Sequence, residues 1–203
     1  MHRYMVFLKK DLETFVITKG VKFDFELLRK KENIVTVKEA IGELYNYDKE
    51  SLKESYKIDT VAETEYQRYL RNEENVIYNH EIKYPADIVQ KRISFVPQGG
   101  NWKDIPRELF ENNRNNRHSS AFKRLNEKDT SVTIDTGNAH SNYFHPLYNR
   151  IPTVREAARL QSFNDAFIFK GSRTAQYRQV GNAVPPLLSK AIADALKEVI
   201  GDE

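Results

Sequence analysis

The sequence predicts an α/β protein from three features: a buried strand near the start, two helix-capping boxes, and an amphipathic helix near the end. The apolar run Met5–Leu8 is followed at once by charged residues, a pattern typical of a buried strand. In Thr36–Glu39 (TVKE) and Thr153–Glu156 (TVRE), the threonine and glutamate side chains can each bond the other residue's backbone amide, which predicts a helix start. We expect these helices to run through Leu44 and to about Phe163.

The helix near the end follows two prolines. Pro185 and Pro186 suit a first helical turn, because the amides of that turn lack partners inside the helix. Apolar residues then recur on one face between Leu187 and Ile200, and Gly201 suits a C-terminal cap. We therefore expect this helix to bury its stripe against another surface.

The middle of the chain divides by composition. Residues 46–84 are polar and contain no glycine or proline, which favours one or two exposed helices over a flexible linker. Prolines and glycines return from Pro85 onward, so residues 85–150 should form loops and short strands.

Composition and charge exclude several classes of protein. The 203 residues include no cysteine, which rules out a disulfide framework, a thiolate zinc site and a cysteine nucleophile within this chain. The sequence shows neither a membrane-spanning run nor a secretion signal, so we predict a cytoplasmic protein. Residues 88–203 carry 17 basic and 12 acidic side chains, whereas residues 32–87 carry 7 and 13. Either the basic part faces a polyanion, or the surface charge simply fluctuates.

The segment Thr153–Ala195 carries the most specific motifs. It reads TVREAARLQSFNDAFIFKGSRTAQYRQVGNAVPPLLSKAIADA. It resembles the last two conserved blocks of the DNA (cytosine-5) methyltransferases, REAARLQ-F and Q-x-GNAV-P, in the family's order and at its usual separation. Pieces of the family's target-recognition region are similar to Arg117–Ser120, Ser131–Ile134 and His145-Pro146.

The first half of the family's sequence has no counterpart here. The glycine-rich loop for S-adenosylmethionine, the Pro-Cys nucleophile block and the Glu-Asn-Val block are missing. Only Arg3 corresponds to the family's Gln-x-Arg-x-Arg block, where it takes the place of the last arginine. The resemblance makes Arg3 the sole candidate catalytic residue. The chain thus looks like the C-terminal part of a methyltransferase, similar to the second subunit of family members that are split in two.

This resemblance implies a fold in four segments. Residues 1–45 would be the tail of the catalytic-domain sheet, and 46–87 a charged, mainly helical insert. Residues 88–164 would form a smaller, irregular, β-rich target-recognition domain. Residues 165–203 would return to the catalytic domain and pack their helix on it. The chain would therefore hold a fragment of a methyltransferase-type Rossmann-like domain plus the recognition domain.

The implied function is DNA recognition and completion of a cofactor pocket. In the family a cysteine thiolate adds to carbon 6 of the cytosine, and carbon 5 then takes the methyl group of S-adenosylmethionine. A chain without cysteine cannot do this alone, because a serine or threonine hydroxyl is far less acidic. We expect double-stranded DNA and an N-terminal catalytic subunit as partners, in a bacterial restriction-modification system. The alternative is a stand-alone DNA-binding or interaction protein, or an inactive methyltransferase remnant.

Candidate DNA-binding residues lie in the basic part of the chain. Arginine can reach both acceptors of a guanine edge, and asparagine can pair with adenine. An exposed polar loop or an ordinary strand over Ser131–Ile134 would give the same patterns. With the resemblance, the predicted DNA-binding residues are Arg114, Asn116, Arg117, Arg124, Thr133 and Ile134.

The two last blocks supply the remaining candidates. Arg155 and Arg159 lie four residues apart and share a helix face, and we expect them to organise the recognition domain rather than bind phosphate. A glycine-containing turn before a helix suits a polar ligand, although such a sequence is often only a turn. The resemblance places the cofactor's methionine end at this turn, at Asn182, Ala183 and Val184. The five histidines show no ligand spacing, so no metal site is expected.

Overall fold

The computed structural model describes residues 34–47, 54–110, 122–136 and 143–200. Contacts divide the chain into two compact units, and Val35–Ala183 makes up the larger one. The helix near the end belongs to the other unit. The strand predicted over Met5–Leu8 lies outside the described residues, and the four predicted segment boundaries stay predictions.

The larger unit begins with the first predicted capping box, which the structure confirms. Helix α1 spans Val37–Ile41, and the Glu39 carboxylate accepts the Thr36 amide at 2.7 Å while the Thr36 hydroxyl accepts the Glu39 amide at 3.2 Å. The α-helix ends earlier than the predicted Leu44, and the chain continues as a 3₁₀ helix over Gly42–Tyr47.

Residues 54–84 contain one short helix, in line with the one or two helices predicted for residues 46–84. They also contain two strands that were not predicted. Strand β1 (Ser55–Lys57) pairs antiparallel with β2 (Val76–Tyr78), and α2 (Glu65–Leu70) lies between them in sequence. The Asn72 side chain closes the turn before β2, since it donates to the Val76 carbonyl at 2.6 Å and accepts the Val76 amide at 3.0 Å. The β-branched residues at the start of β2 are the sequence signal for this strand.

Between Pro85 and Arg150 the described residues form loops and short elements, as predicted, together with one further helix. Helix α3 covers Asp87–Ser94, and 3₁₀ turns cover Trp102–Asp104 and Arg107–Leu109. Strand β3 (Lys123–Arg124) runs parallel to β4 (Tyr143–Phe144).

Two helices complete the larger unit. The second capping box is confirmed: α4 spans Val154–Leu160, and α5 spans Arg173–Asn182. Helix α4 ends before the predicted Phe163, where Ser162 takes a left-handed backbone with φ of 63°. Six consecutive residues of α4 are buried, so this helix lies inside the unit rather than on its surface.

The predicted strand over Ser131–Ile134 does not form among the described residues. Its alternation of faces is nevertheless kept. Val132 and Ile134 pack into the main core, whereas Thr133 between them is exposed. The segment therefore presents Thr133 outward from a firmly held backbone.

The other unit contains α6 (Pro186–Ile200). A helix whose first turn holds Pro185 and Pro186 was predicted, and the helix begins at the second of these prolines. Lys190 and Asp194 form an ion pair of 2.6 Å on one exposed face of this helix. No helix in the described part of the chain is both long and apolar enough to cross a membrane.

Candidate functional site

Buried arginines converge around helix α4. Arg155 has no exposed surface and donates to the carbonyl oxygens of Tyr78 at 2.8 Å and Phe167 at 2.6 Å. Asp165 lies 3.6 Å away. Burial lowers the pKa of Arg155 to about 10, an effect that Asp165 only partly offsets. Arg155 thus joins strand β2 to the loop that follows α4.

Arg159 lies one turn further along and binds two carboxylates. It donates from two nitrogens to Asp165 and from a third to Glu43, which also accepts from Arg71. Burial alone would lower the pKa of Arg159, but these carboxylates outweigh it and raise the pKa. A fully buried arginine with these partners holds the 3₁₀ helix, α2 and α4 together.

A third buried arginine, Arg150, pairs with the glutamate of the capping box. Its nitrogens donate to both carboxylate oxygens of Glu156 at 2.7 and 2.9 Å, and His145 lies 3.5 Å from the same carboxylate. Burial would raise the pKa of Glu156, but Arg150 and then His145 hold it well below the usual value. The sequence reasoning identified Glu156 only as a capping residue and missed Arg150. The arginine shortly before the box was the available signal.

The predicted DNA-binding residues are only partly described. Arg114, Asn116 and Arg117 lie outside the described residues. Thr133 is exposed, whereas Ile134 keeps only 5% of its surface exposed and belongs to the core. Their DNA contacts stay predictions.

Arg124, by contrast, is buried in protein contacts. It is 7% exposed and donates to the Ile93 carbonyl at 2.8 Å, to the Pro146 carbonyl at 3.2 Å and to the Asn149 amide oxygen at 2.7 Å. A guanidinium placed in this way would have to give up these bonds before it could reach a base. DNA contact by Arg124 therefore stays a prediction, and its surroundings favour a structural role.

Substitution of two neighbouring residues can distinguish a structural role of Arg124 from a DNA contact. We expect Arg124→Met to lower the free energy of unfolding by about 2 kcal/mol, since buried carbonyl oxygens lose a charged donor. Lys123→Met, one residue earlier on β3, should change it by less than about 0.5 kcal/mol. Urea denaturation of both variants gives the comparison. A folded, fully stable Arg124→Met chain that binds duplex DNA more weakly would instead indicate direct contact.

The predicted cofactor turn has a different local structure. Gly181 and Asn182 form the last residues of α5 rather than a turn, and the helix ends at Ala183 with an extended backbone. Asn182 is exposed. Val184 belongs to the other unit, and Arg3 lies outside the described residues. The glycine is required here for a close approach, because a Cβ at position 181 would lie 2.5 Å from the carbonyl carbon of Asp135.

A cavity of about 320 Å³ lies between the N-terminal ends of α1 and α2. The capping pair of α1, Thr36 and Glu39, and the corresponding pair of α2, Thr64 and Gln67, line it, and none of the predicted site residues does. Among the described residues no cluster of histidine, aspartate and glutamate could hold a metal ion.

A solved structure shares the fold. The crystal structure of a prophage-encoded Escherichia coli protein, assigned as a DNA modification methyltransferase, aligns with a TM-score of 0.63 and 21% identity. The alignment covers 91% of this chain and 53% of that one.

Several methyltransferases are similar to this protein in sequence over most of its chain. The type II methyltransferase M1.HphI of Haemophilus parahaemolyticus is 41% identical over 131 residues, which cover 64% of this chain and 34% of that protein. The type II methyltransferase M.Eco47II of Escherichia coli is 29% identical over 187 residues, which cover 87% and 38%. The chain thus spans only about a third of the length of these relatives. The family model for C-5 cytosine-specific DNA methylases matches residues 2–198, so this chain belongs to that family.

Proposed function

We propose that this chain is the DNA-recognition and cofactor-pocket-completing part of a DNA (cytosine-5) methyltransferase that uses S-adenosylmethionine in a bacterial restriction-modification system. One observation carries the proposal: a family match over residues 2–198 in a chain that contains no cysteine. The type II methyltransferases among its relatives support the restriction-modification setting.

The missing thiol decides which part of the reaction the chain performs. Addition to carbon 6 of cytosine needs a nucleophile with an accessible thiolate, and hydroxyl groups do not replace it near neutral pH. The nucleophile therefore comes from polypeptide outside these 203 residues. We assign it to an N-terminal catalytic subunit, which also supplies the acid and most of the cofactor site.

Recognition is assigned to the basic part of the chain. Arg114 and Arg117 would read guanine edges and Asn116 an adenine edge in the major groove, with Thr133 and Ile134 beside the target base. The exposure of Thr133 on a core-anchored backbone supports this role, since a presented side chain needs a fixed base.

The cofactor contact is assigned to the end of α5. Asn182 is exposed and offers amide donors and an acceptor, which fit the charged methionine end of S-adenosylmethionine. We assign the next two residues of the GNAV sequence, Ala183 and Val184, to cofactor binding as well, and Arg3 would act at the base. The cofactor supplies the methyl group, whereas Asn182, Ala183 and Val184 only bind and orient it.

The buried arginines would keep the two contact regions in place. Arg159 ties α4 to two carboxylates, and Arg155 ties it to two carbonyl oxygens, so α4 acts as a rigid centre. Their full burial leaves them no surface for phosphate.

The test is methyl transfer with and without a partner. The purified chain is incubated with double-stranded DNA and tritium-labelled S-adenosylmethionine, alone and after co-expression with the product of the neighbouring gene. We expect no transfer by the chain alone. Together, the two polypeptides should methylate one sequence, which bisulfite sequencing of the host DNA identifies.

The control replaces the partner's cysteine nucleophile with serine, which should abolish transfer while the two polypeptides still copurify. Transfer by the chain alone would overturn the need for a partner. DNA binding without transfer in any combination would support a stand-alone DNA-binding protein.

A further inference from the structure

Helix α5 lies directly on the recognition segment, residues 131–136, with no side chain between the two backbones. The contact is made at Gly181. A Cβ built there would lie 2.5 Å from both the Asp135 carbonyl carbon and the Thr136 amide nitrogen, closer than real Cβ contacts allow. These obstacles are backbone atoms, so they cannot turn aside as the end of a flexible side chain can. Only glycine permits this approach.

Side chains on both sides of the contact fix it in place. Ile134 packs in one core with Tyr177 and Val180, which come from the preceding turn of α5. From the end of α4, Gln161 donates its amide to the Val180 carbonyl oxygen. The recognition segment, α5 and α4 therefore meet at one buried point.

The predicted DNA-contact residue Thr133 and the predicted cofactor-contact residue Asn182 both lie close to this point in the sequence. Thr133 is exposed two residues before Asp135, and Asn182 is exposed one residue after Gly181. A displacement of either backbone at the contact therefore moves the other, because packed backbones respond as a unit.

We propose that Gly181 is a positioning residue that couples target recognition to cofactor binding, because it fixes the recognition segment against the end of α5. The inference rests on the proposed function. It predicts that a cofactor bound beside Asn182 strengthens the grip of the recognition segment on its DNA sequence, and that the link passes through position 181.

The experiment measures this coupling in the assembly of the chain with its catalytic subunit. Fluorescence anisotropy measures the affinity of the assembly for a duplex that contains its target sequence, with and without S-adenosylhomocysteine. We expect the cofactor product to tighten wild-type binding at least about 5-fold. In Gly181→Ala the ratio of the two affinities should fall to about 1. A purely structural defect would weaken both affinities together and leave their ratio unchanged.

Two further variants keep the test decisive. Gly42→Ala adds the same methyl group at a helix end where it meets side chains alone, the flexible Lys38 at 3.1 Å and the Tyr45 ring at 4.0 Å, and it should keep the wild-type ratio. Gln161→Leu leaves Gly181 in place but removes the donor to the Val180 carbonyl, and it should also reduce the ratio, even if Gly181→Ala does not fold.

The outcomes separate the inference from the function beneath it. A wild-type assembly that methylates DNA but shows no coupling overturns the inference alone. So does an undiminished ratio in Gly181→Ala or, where that variant does not fold, in Gln161→Leu. An assembly that neither methylates DNA nor binds the two ligands overturns the proposed function itself.

Discussion

Replacing Glu156 by glutamine is expected to lower the free energy of unfolding by about 3–5 kcal/mol, the cost of leaving a buried charge without its partner. Glutamine keeps the size of the side chain and an oxygen for the Thr153 amide, which lies 2.7 Å from the carboxylate. It removes the negative charge that both Arg150 nitrogens face, and neither side chain has exposed surface. Urea denaturation at neutral pH measures the loss.

The first capping box supplies the matched control. Glu39 caps α1 as Glu156 caps α4, but it is only partly buried. Glu39→Gln should therefore cost about 1 kcal/mol or less. Equal losses in the two variants would show that capping, and not the buried charge, carries the effect.

A double replacement distinguishes charge from packing. Arg150→Met combined with Glu156→Leu removes both charges while it keeps apolar volume, and buried ion pairs replaced in this way often lose little stability. We expect the double variant to be more stable than Glu156→Gln alone. If it is less stable, the hydrogen bonds of the pair matter more than its charge balance.

The same two boxes show what the sequence could reveal about the fold. A capping box depends on residues three apart, so both helix starts were predictable. The burial of Glu156 and its pairing with Arg150 depend on tertiary packing, which no local sequence pattern predicts. Strands β1 and β2 were missed for the same reason. They pair across about twenty residues of polar sequence, and a three-residue strand shows too little alternation to stand out.

The role of Gly181 was the hardest feature of the site to predict from the sequence. Gly181 suggested a turn because glycine is common in turns, yet it lies in a helix where another backbone passes close by. The same limit applies to Arg124. Its charge suggested a DNA contact, but its bonds go to carbonyl oxygens of α3 and the turn after β4. Which neighbour approaches a residue is decided by the fold, whereas its chemical type is visible in the sequence.

The second large effect concerns pH and a buried histidine. His80 has no exposed surface, and its Nδ1 lies 2.9 Å from the Thr153 hydroxyl. The rings of Tyr47 and Tyr56 lie edge-on to it, and its Nε2 has no hydrogen-bond partner within the described part of the chain. Burial lowers the pKa of His80 from 6.5 to about 4; nearby Glu156 opposes this change, whereas Arg150, Arg159 and His145 add to it.

The sign of the pH effect follows from this lowered pKa. Between pH 6.5 and 4 residue 80 is protonated in the unfolded chain but not in the folded chain. The free energy of unfolding therefore falls as the pH falls through this window. The loss due to His80 is on the order of 3 kcal/mol by pH 4.

His80→Phe keeps an aromatic ring against both tyrosines but cannot titrate, so its stability should depend less on pH between 6.5 and 5. Urea denaturation at half-unit pH steps measures both slopes, and the range above pH 5 limits the contribution of carboxylates with ordinary pKa values. Parallel slopes would mean that residue 80 accepts its proton in the folded state and is not sealed from water. A flatter slope in the variant would identify His80 as a group through which mild acid lowers the stability of the fold.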